Sequence, residues 1–128
     1  MNTGEIMVRV RYAETDRMGL LHHANYLVYF EQARIEMLRA SGVSYKDLED
    51  AGHLLVVAKM EVRYRSPAYY DDLLTIRTKQ VRTTSVQIEH KYEVLRGDVL
   101  LAEGSSTLAC VDRDGRLHRL PEKLADDA

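Results

Sequence analysis

Ala24-Asn25-Tyr26-Leu27-Val28-Tyr29-Phe30-Glu31-Gln32-Ala33-Arg34-Ile35-Glu36-Met37-Leu38-Arg39-Ala40 is the stretch that decides the fold. Tyr26, Phe30, Ala33, Met37 and Ala40 follow a 4-3-4-3 spacing. That spacing lines one face of an α-helix with apolar groups. Glu31, Arg34, Glu36 and Arg39 supply charge, but Leu27, Val28 and Ile35 widen the apolar surface. A stripe this broad predicts a helix covered on more than one side. Ser41-Gly42 ends it, glycine being suited to a left-handed cap.

On either side of this helix the period is two. Ile6, Val8, Val10 and Tyr12 alternate with Met7, Arg9 and Arg11, which predicts a strand from Ile6 to Tyr12 with one polar face. Residues 13–23 break that pattern, and Gly19 marks a tight turn. After the helix, Ser44 is a candidate N-cap for a short second helix, with Asp47 at its third position, stopped by Ala51-Gly52. The rest reads as strands. Lys59 to Arg65 alternates and ends at Ser66-Pro67. Leu74, Ile76 and Thr78 share a face of the next strand. Thr83-Thr84-Ser85 turns the chain into Val86, Ile88, His90, Tyr92 and Val94. Gly97-Asp98 leads to a long strand from Val99 to Val111. Asp112-Arg113-Asp114-Gly115 is a hairpin-type turn before a brief strand near Leu117, and a helical turn follows Pro121. One long helix after a first strand, then a mostly antiparallel sheet, is an α+β layout in which one curved sheet wraps the helix.

The 128 residues suit a single domain, 1–128, large enough to bury a core without disulfides. The lone cysteine, Cys110, lies in an apolar run and reads as a small buried hydrophobe. A net charge of −2 with both signs interspersed excludes a general nucleic-acid or membrane-surface binder. No apolar run reaches a membrane span, and the first residues lack a signal-peptide pattern, so a cytoplasmic location is expected. The five histidines have no zinc-motif spacing, so no metal is expected. Gly104-Ser105-Ser106 falls mid-strand rather than on a nucleophile elbow. No glycine-rich phosphate loop is present.

The segment that carries chemistry is Tyr12-Ala13-Glu14-Thr15-Asp16-Arg17-Met18-Gly19-Leu20-Leu21-His22-His23-Ala24-Asn25-Tyr26. It places carboxylates and histidines between a strand and a helix start. The unpaired N–H groups there can stabilise an oxyanion, and a nearby carboxylate can act as base or nucleophile. The plain alternative is a turn-forming Asp and polar caps, and the residues alone leave it open.

The run Tyr12, Thr15-Asp16, Gly19, His23-Ala24-Asn25-Tyr26, Phe30-Glu31 and Ala33-Arg34 resembles the 4-hydroxybenzoyl-CoA thioesterase family of hotdog proteins, and is closest to its bacterial short-chain acyl-CoA thioesterase branch. Val62-Arg63-Tyr64-Arg65-Ser66-Pro67-Ala68 and Tyr70-Asp71-Asp72-Leu73-Leu74 are similar to the family's second landmark. The likeness runs over roughly residues 5–122. It implies a hotdog fold, acyl-CoA thioester hydrolysis without a cofactor, and a homodimer or homotetramer with sites at the subunit interface. It also implies that Asp16 is nucleophile or general base, that the oxyanion-binding N–H falls on His23, and that Tyr12 lies beside the site. Glu31 falls on an acyl-pocket position, its plain alternative being a helix charge near Arg34. Arg82, with Thr83, Thr84 and Ser85, falls on a turn that contacts CoA phosphates in the hydroxybenzoyl branch, where Thr83 and Thr84 are basic. Arg17-Met18 replaces Pro-Ala of that branch, and His22 replaces a frequent aromatic residue. Both changes alter the pocket entrance. Two other readings stand beside hydrolysis: a hotdog dehydratase or hydratase, and a non-catalytic binder of acyl-CoA or acyl-carrier protein.

Overall fold

The structure, a computed structural model, describes residues 2–125. Residue 1 and residues 126–128, the two ends of the expected domain, lie outside the described residues. The elements run β1 (Thr3–Arg9), a 3-10 turn (Tyr12–Glu14), α1 (Asn25–Ala40), α2 (Tyr45–Asp50), β2 (Leu54–Tyr64), β3 (Leu73–Thr83), β4 (Gln87–Arg96), β5 (Val99–Val111) and α3 (Glu122–Ala125). The strands form one antiparallel sheet in the order β1-β3-β4-β5-β2. Register shifts at Val57/Lys59, Gln80/Arg82 and Val94/Leu95 interrupt the ladders. Such bulges bend a strand and increase its twist.

The inner face of the sheet packs on α1. Tyr26, Tyr29, Phe30, Ala33, Met37 and Leu38 are buried from the helix, and Leu74, Ile76, Ile88, Tyr92 and Val94 from the strands. These strand residues are the alternating positions read in the sequence. Phe30 stacks on Tyr92, ring centroids 4.4 Å apart. Each fully buried large apolar side chain contributes about 1.5–3 kcal/mol. Gly104 in β5 lets Phe30 approach, since a Cβ there would lie 2.6 Å from the Phe30 ring. A second cluster gathers Leu38, Val43, Leu48, Ile88, Cys110, Leu120 and Leu124, which buries Cys110 and docks α3.

Three expectations need correction. β1 ends at Arg9, and Tyr12 enters a 3-10 turn because Glu14 accepts hydrogen bonds from the Arg11 backbone N–H and side chain. β2 begins at Leu54 rather than Lys59. Leu27, Val28 and Ala40 of α1 are exposed, so one chain covers only one side of the helix. Elsewhere the expected signals act where they stand. Ser44 Oγ accepts from Asp47 N, and Gly42 adopts a φ of 90° after α1. Asp112 Oδ1 braces its turn by accepting from Asp114 N and Arg116 N. No helix among the described residues is long and apolar enough to cross a membrane.

Candidate active site

The segment between β1 and α1 folds on its own hydrogen bonds. The Glu14 carbonyl accepts from His22 N and Asn25 Nδ2. Thr15 bridges Leu21, and Leu20 bridges Tyr69 beyond β2. Asp16 N donates to the Leu20 carbonyl at 2.7 Å, and Gly19, at φ 83°, returns its N–H to the Asp16 carbonyl.

The two carboxylates of the segment have separate environments. Glu14 is buried, and Tyr29 donates to it at 2.8 Å. Burial opposes its charge, but hydrogen bonds from Arg11 N–H, Tyr29 and the Arg11 guanidinium outweigh burial and hold its pKa below the usual carboxylate value. Tyr29 is pushed upward by burial and by the same bond. Glu14 therefore braces the segment. Asp16 is half-buried, and its Oδ1 accepts from Met18 N at 2.9 Å and Leu20 N at 3.1 Å. Its Oδ2 has no protein donor among the described residues.

Asp16 opens on a cleft of about 350 Å³ lined by Leu20, Leu21, His23, Tyr26, Tyr64, Arg65, Ser66 and Pro67. Apolar walls with a few polar groups suit a small ligand. α1 begins beside it. Ala24, its N-cap, has no side-chain cap of its own, and its N–H donates to His22 Nδ1 at 3.1 Å. That bond places the proton of a neutral His22 on Nε2. The exposed His22 and His23 rings stack, centroids 4.2 Å apart. Among the described residues the N–H of His23 has no acceptor, although its neighbours do. The Tyr64 hydroxyl donates to the His23 carbonyl at 3.0 Å, and its ring meets Tyr26 edge-on. A half-engaged carboxylate and a free backbone donor thus share one cleft.

Of the site residues expected from the sequence, Asp16 and His23 meet here. Tyr12 does not line the cleft: it is 78% exposed, with its ring edge on Tyr70. Glu31 is exposed on α1, 3.8 Å from Arg34. Arg82 faces Glu89 across β3 and β4 at 3.7 Å, and the Ser85 carbonyl accepts from Leu120 N. None of these three lines the cleft within one chain. Tyr26, Tyr64, Arg65 and Ser66 were not expected as site residues. Tyr26 lay in the first motif and Tyr64, Arg65 and Ser66 in the landmark around Val62–Ala68, but no spacing rule brings the end of β2 to the start of α1.

Residues 10–127 match the family model of the thioesterase-like superfamily. The acyl-CoA thioester hydrolase YbgC of Escherichia coli O6:H1 is 39% identical over 107 residues, covering 82% of this chain and 79% of that protein. The acyl-CoA thioesterase YbgC of Haemophilus influenzae is 34% identical, covering 82% of this chain and 78% of that protein. The crystal structure of a DHNA-CoA thioesterase from Staphylococcus aureus superposes with a TM-score of 0.90 at 31% identity, covering 94% of this chain and 82% of that one. The chain belongs to the thioesterase-like superfamily and is a thioester hydrolase of the hotdog fold.

Proposed function

We propose that this chain hydrolyses acyl-CoA thioesters in the Asp16 cleft, giving a carboxylic acid and free CoA. The observation that carries the reading is that Asp16 and His23, whose Oδ2 and backbone N–H are unengaged among the described residues, line one cleft. The named activities of the YbgC relatives support CoA as the carrier.

Asp16 acts by one of two routes. As general base, Oδ2 takes a proton from water, and the water oxygen adds to the thioester carbonyl. The carbonyl oxygen becomes an oxyanion against His23 N–H. Collapse breaks the C–S bond, and the CoA thiolate takes up the proton. As nucleophile, Oδ2 itself adds to the carbonyl and expels the thiolate. Water then cleaves the mixed anhydride and regenerates the carboxylate. In both routes the His23 imidazole, on the rim, orients substrate or carries a proton.

The working unit of this proposal is a homodimer or homotetramer. β2 is an edge strand with Val56 and Val57 exposed, and Leu27 and Val28 are exposed on α1. A partner covering these surfaces completes the site. Arg82 and Ser85 then meet the CoA phosphates, Glu31 lines the acyl pocket, and Tyr12 borders the entrance. The reaction uses no cofactor beyond the CoA of its substrate, and its place is the cytoplasm.

The test is free-thiol release from a panel of acyl-CoAs, short-chain to aromatic, with wild type and Asp16→Asn side by side. Asparagine preserves the acceptor for Met18 N and Leu20 N, so the loop survives. Turnover by wild type and a loss of at least roughly 100-fold in the variant are expected. Equal turnover in both would remove Asp16 from the mechanism. No thiol release from any substrate would turn the reading to a hydratase or to a non-catalytic acyl-thioester binder.

A further inference from the structure

The turn between β2 and β3 ties the far end of β4 to the loop that carries Asp16. Tyr69-Tyr70-Asp71-Asp72 closes on a hydrogen bond from Asp72 N to the Tyr69 carbonyl, and Asp71 takes a φ of 71°. That is the left-handed region, which strains any residue but glycine, so contacts from outside must hold the turn in this form. The end of β1 holds one side. Val10 N donates to the Asp72 carbonyl, Asp71 N donates to the Val10 carbonyl, and Arg9 Nη1 donates to the Asp71 carbonyl at 2.8 Å. Arg96, the last residue of β4, holds the other side. Its Nη1 donates to Asp72 Oδ2 at 2.9 Å and to the Pro67 carbonyl at 3.2 Å. Asp72 Oδ2 also accepts from Tyr69 N at 2.9 Å.

Two links run from this turn to the Asp16 loop. Leu21 N donates to the Ala68 carbonyl at 2.8 Å, and Leu20 bridges Tyr69. Leu20 is the residue that fixes Asp16. Its carbonyl accepts from Asp16 N at 2.7 Å, and its N–H donates to Asp16 Oδ1 at 3.1 Å. Leu20, Leu21 and Pro67 all line the cleft, whereas Arg96 and Asp72 do not. Tyr26, another cleft residue, has its pKa raised by burial, and the Ala68 backbone and the charges of Arg96 and Asp72 also act on its hydroxyl. The Arg96 and Asp72 side chains are 37% and 22% exposed. An ion pair open to water adds little to global stability. Its effect is local instead: it holds the turn on which Leu20 and Leu21 rest. Position matters at a reacting carboxylate, because a displacement of about 1 Å can cost roughly 100-fold in rate.

We propose that Arg96 and Asp72 are positioning residues that set the Asp16 carboxylate through the 67–72 turn and Leu20. They act through that chain of contacts and touch no substrate. The proposal rests on the reading of Asp16 as the reacting group.

The test uses the full chain, with butyryl-CoA and benzoyl-CoA as probes. For the probe that wild type hydrolyses faster, Arg96→Met should lower kcat roughly tenfold to 100-fold and leave KM within about twofold. Arg96→Lys keeps the charge and a donor for Asp72, so it should recover part of that loss; it also keeps the test open should Arg96→Met fail to fold. In an Asp16→Asn background, Arg96→Met should cost nothing further, because changes that act through one group are not additive. A merely structural brace would lower the rate equally in both backgrounds, and that result would overturn the proposal. Residue-resolved amide exchange reads the same link without substrate. In Arg96→Met the N–H groups of Leu21 and Asp16 should exchange faster, while that of Tyr92, in the middle of β4, keeps its wild-type rate. Unchanged exchange at Leu21 and Asp16 would overturn the proposal. Faster exchange there, with no thiol release by wild type, would strike hydrolysis at Asp16 and leave the hold of Arg96 on the Asp16 loop standing.

Discussion

Tyr64 Oη, at the end of β2, donates a 3.0 Å hydrogen bond to the carbonyl of His23, the residue at the start of α1 whose N–H has no acceptor among the described residues. The sheet edge thereby fixes the backbone that carries the candidate oxyanion donor. Tyr64→Phe removes that clamp and leaves the ring against Tyr26. One hydrogen bond is worth about 1 kcal/mol, so kcat should fall roughly fivefold to tenfold. KM should change little, because the lost bond orients the donor rather than the substrate. A purely structural role would instead lower the melting temperature with kcat unchanged.

Glu14 sets a pH limit on the same segment. Its folded pKa is lowered, so the folded state holds its proton less tightly than the unfolded state does. Its contribution is complete above the ordinary carboxylate value of 4.5 and is lost as pH falls through the lower, folded value. Glu14→Gln should destabilise the protein by about 1.5–3 kcal/mol at neutral pH, as for a hydrogen bond to a charged group. Thermal melts from pH 7 down to acid should show wild type and variant converging at low pH. A constant gap between the two curves would contradict a role for the ionised form.

Gly104 is set by close approach, not by backbone conformation. A Cβ there would lie 2.6 Å from Phe30 Cε2 and 3.0 Å from the Glu61 carbonyl oxygen. Phe30 cannot retreat, because it is fully buried and stacked on Tyr92. Gly104→Ala should cost about 1–3 kcal/mol through overpacking, seen as a lower midpoint in urea at unchanged slope. A variant as stable as wild type would show that the helix can shift away from the sheet.

The sequence made α1 and the inner positions of β3 and β4 readable, because their periods persist for several turns or pleats. Thr78, His90 and Tyr92 are as buried as the alternation requires, although they are polar. β2 was readable only from Lys59. Leu54 to Ala58 is an unbroken apolar run, and the bulge at Val57/Lys59 resets the alternation just where reading it begins. Tyr12 kept the parity of Val8 and Val10 and so read as strand, but the local bonds of Glu14 to Arg11 overrode the period. Asp16 and His23 were legible as chemistry because they are close in sequence. Tyr64 was not, since it reaches His23 across 41 residues through the strand order of the sheet.

That strand order leaves β2 as an outer strand of 11 residues, with Val57 half exposed. An edge this long and apolar is a template for pairing with another strand. If a second copy covers it, sedimentation of the wild type should give at least twice the 14.7 kDa of one chain. Val57→Glu places like charges on the paired edges without touching the core of either protomer. The variant should sediment as a folded monomer and lose thioester turnover with its partner. An oligomer of unchanged mass would move the interface away from β2. A fully active monomer would show that the Asp16 cleft is complete within one chain, and that Glu31, Arg82 and Ser85, which do not line it there, are not needed for turnover.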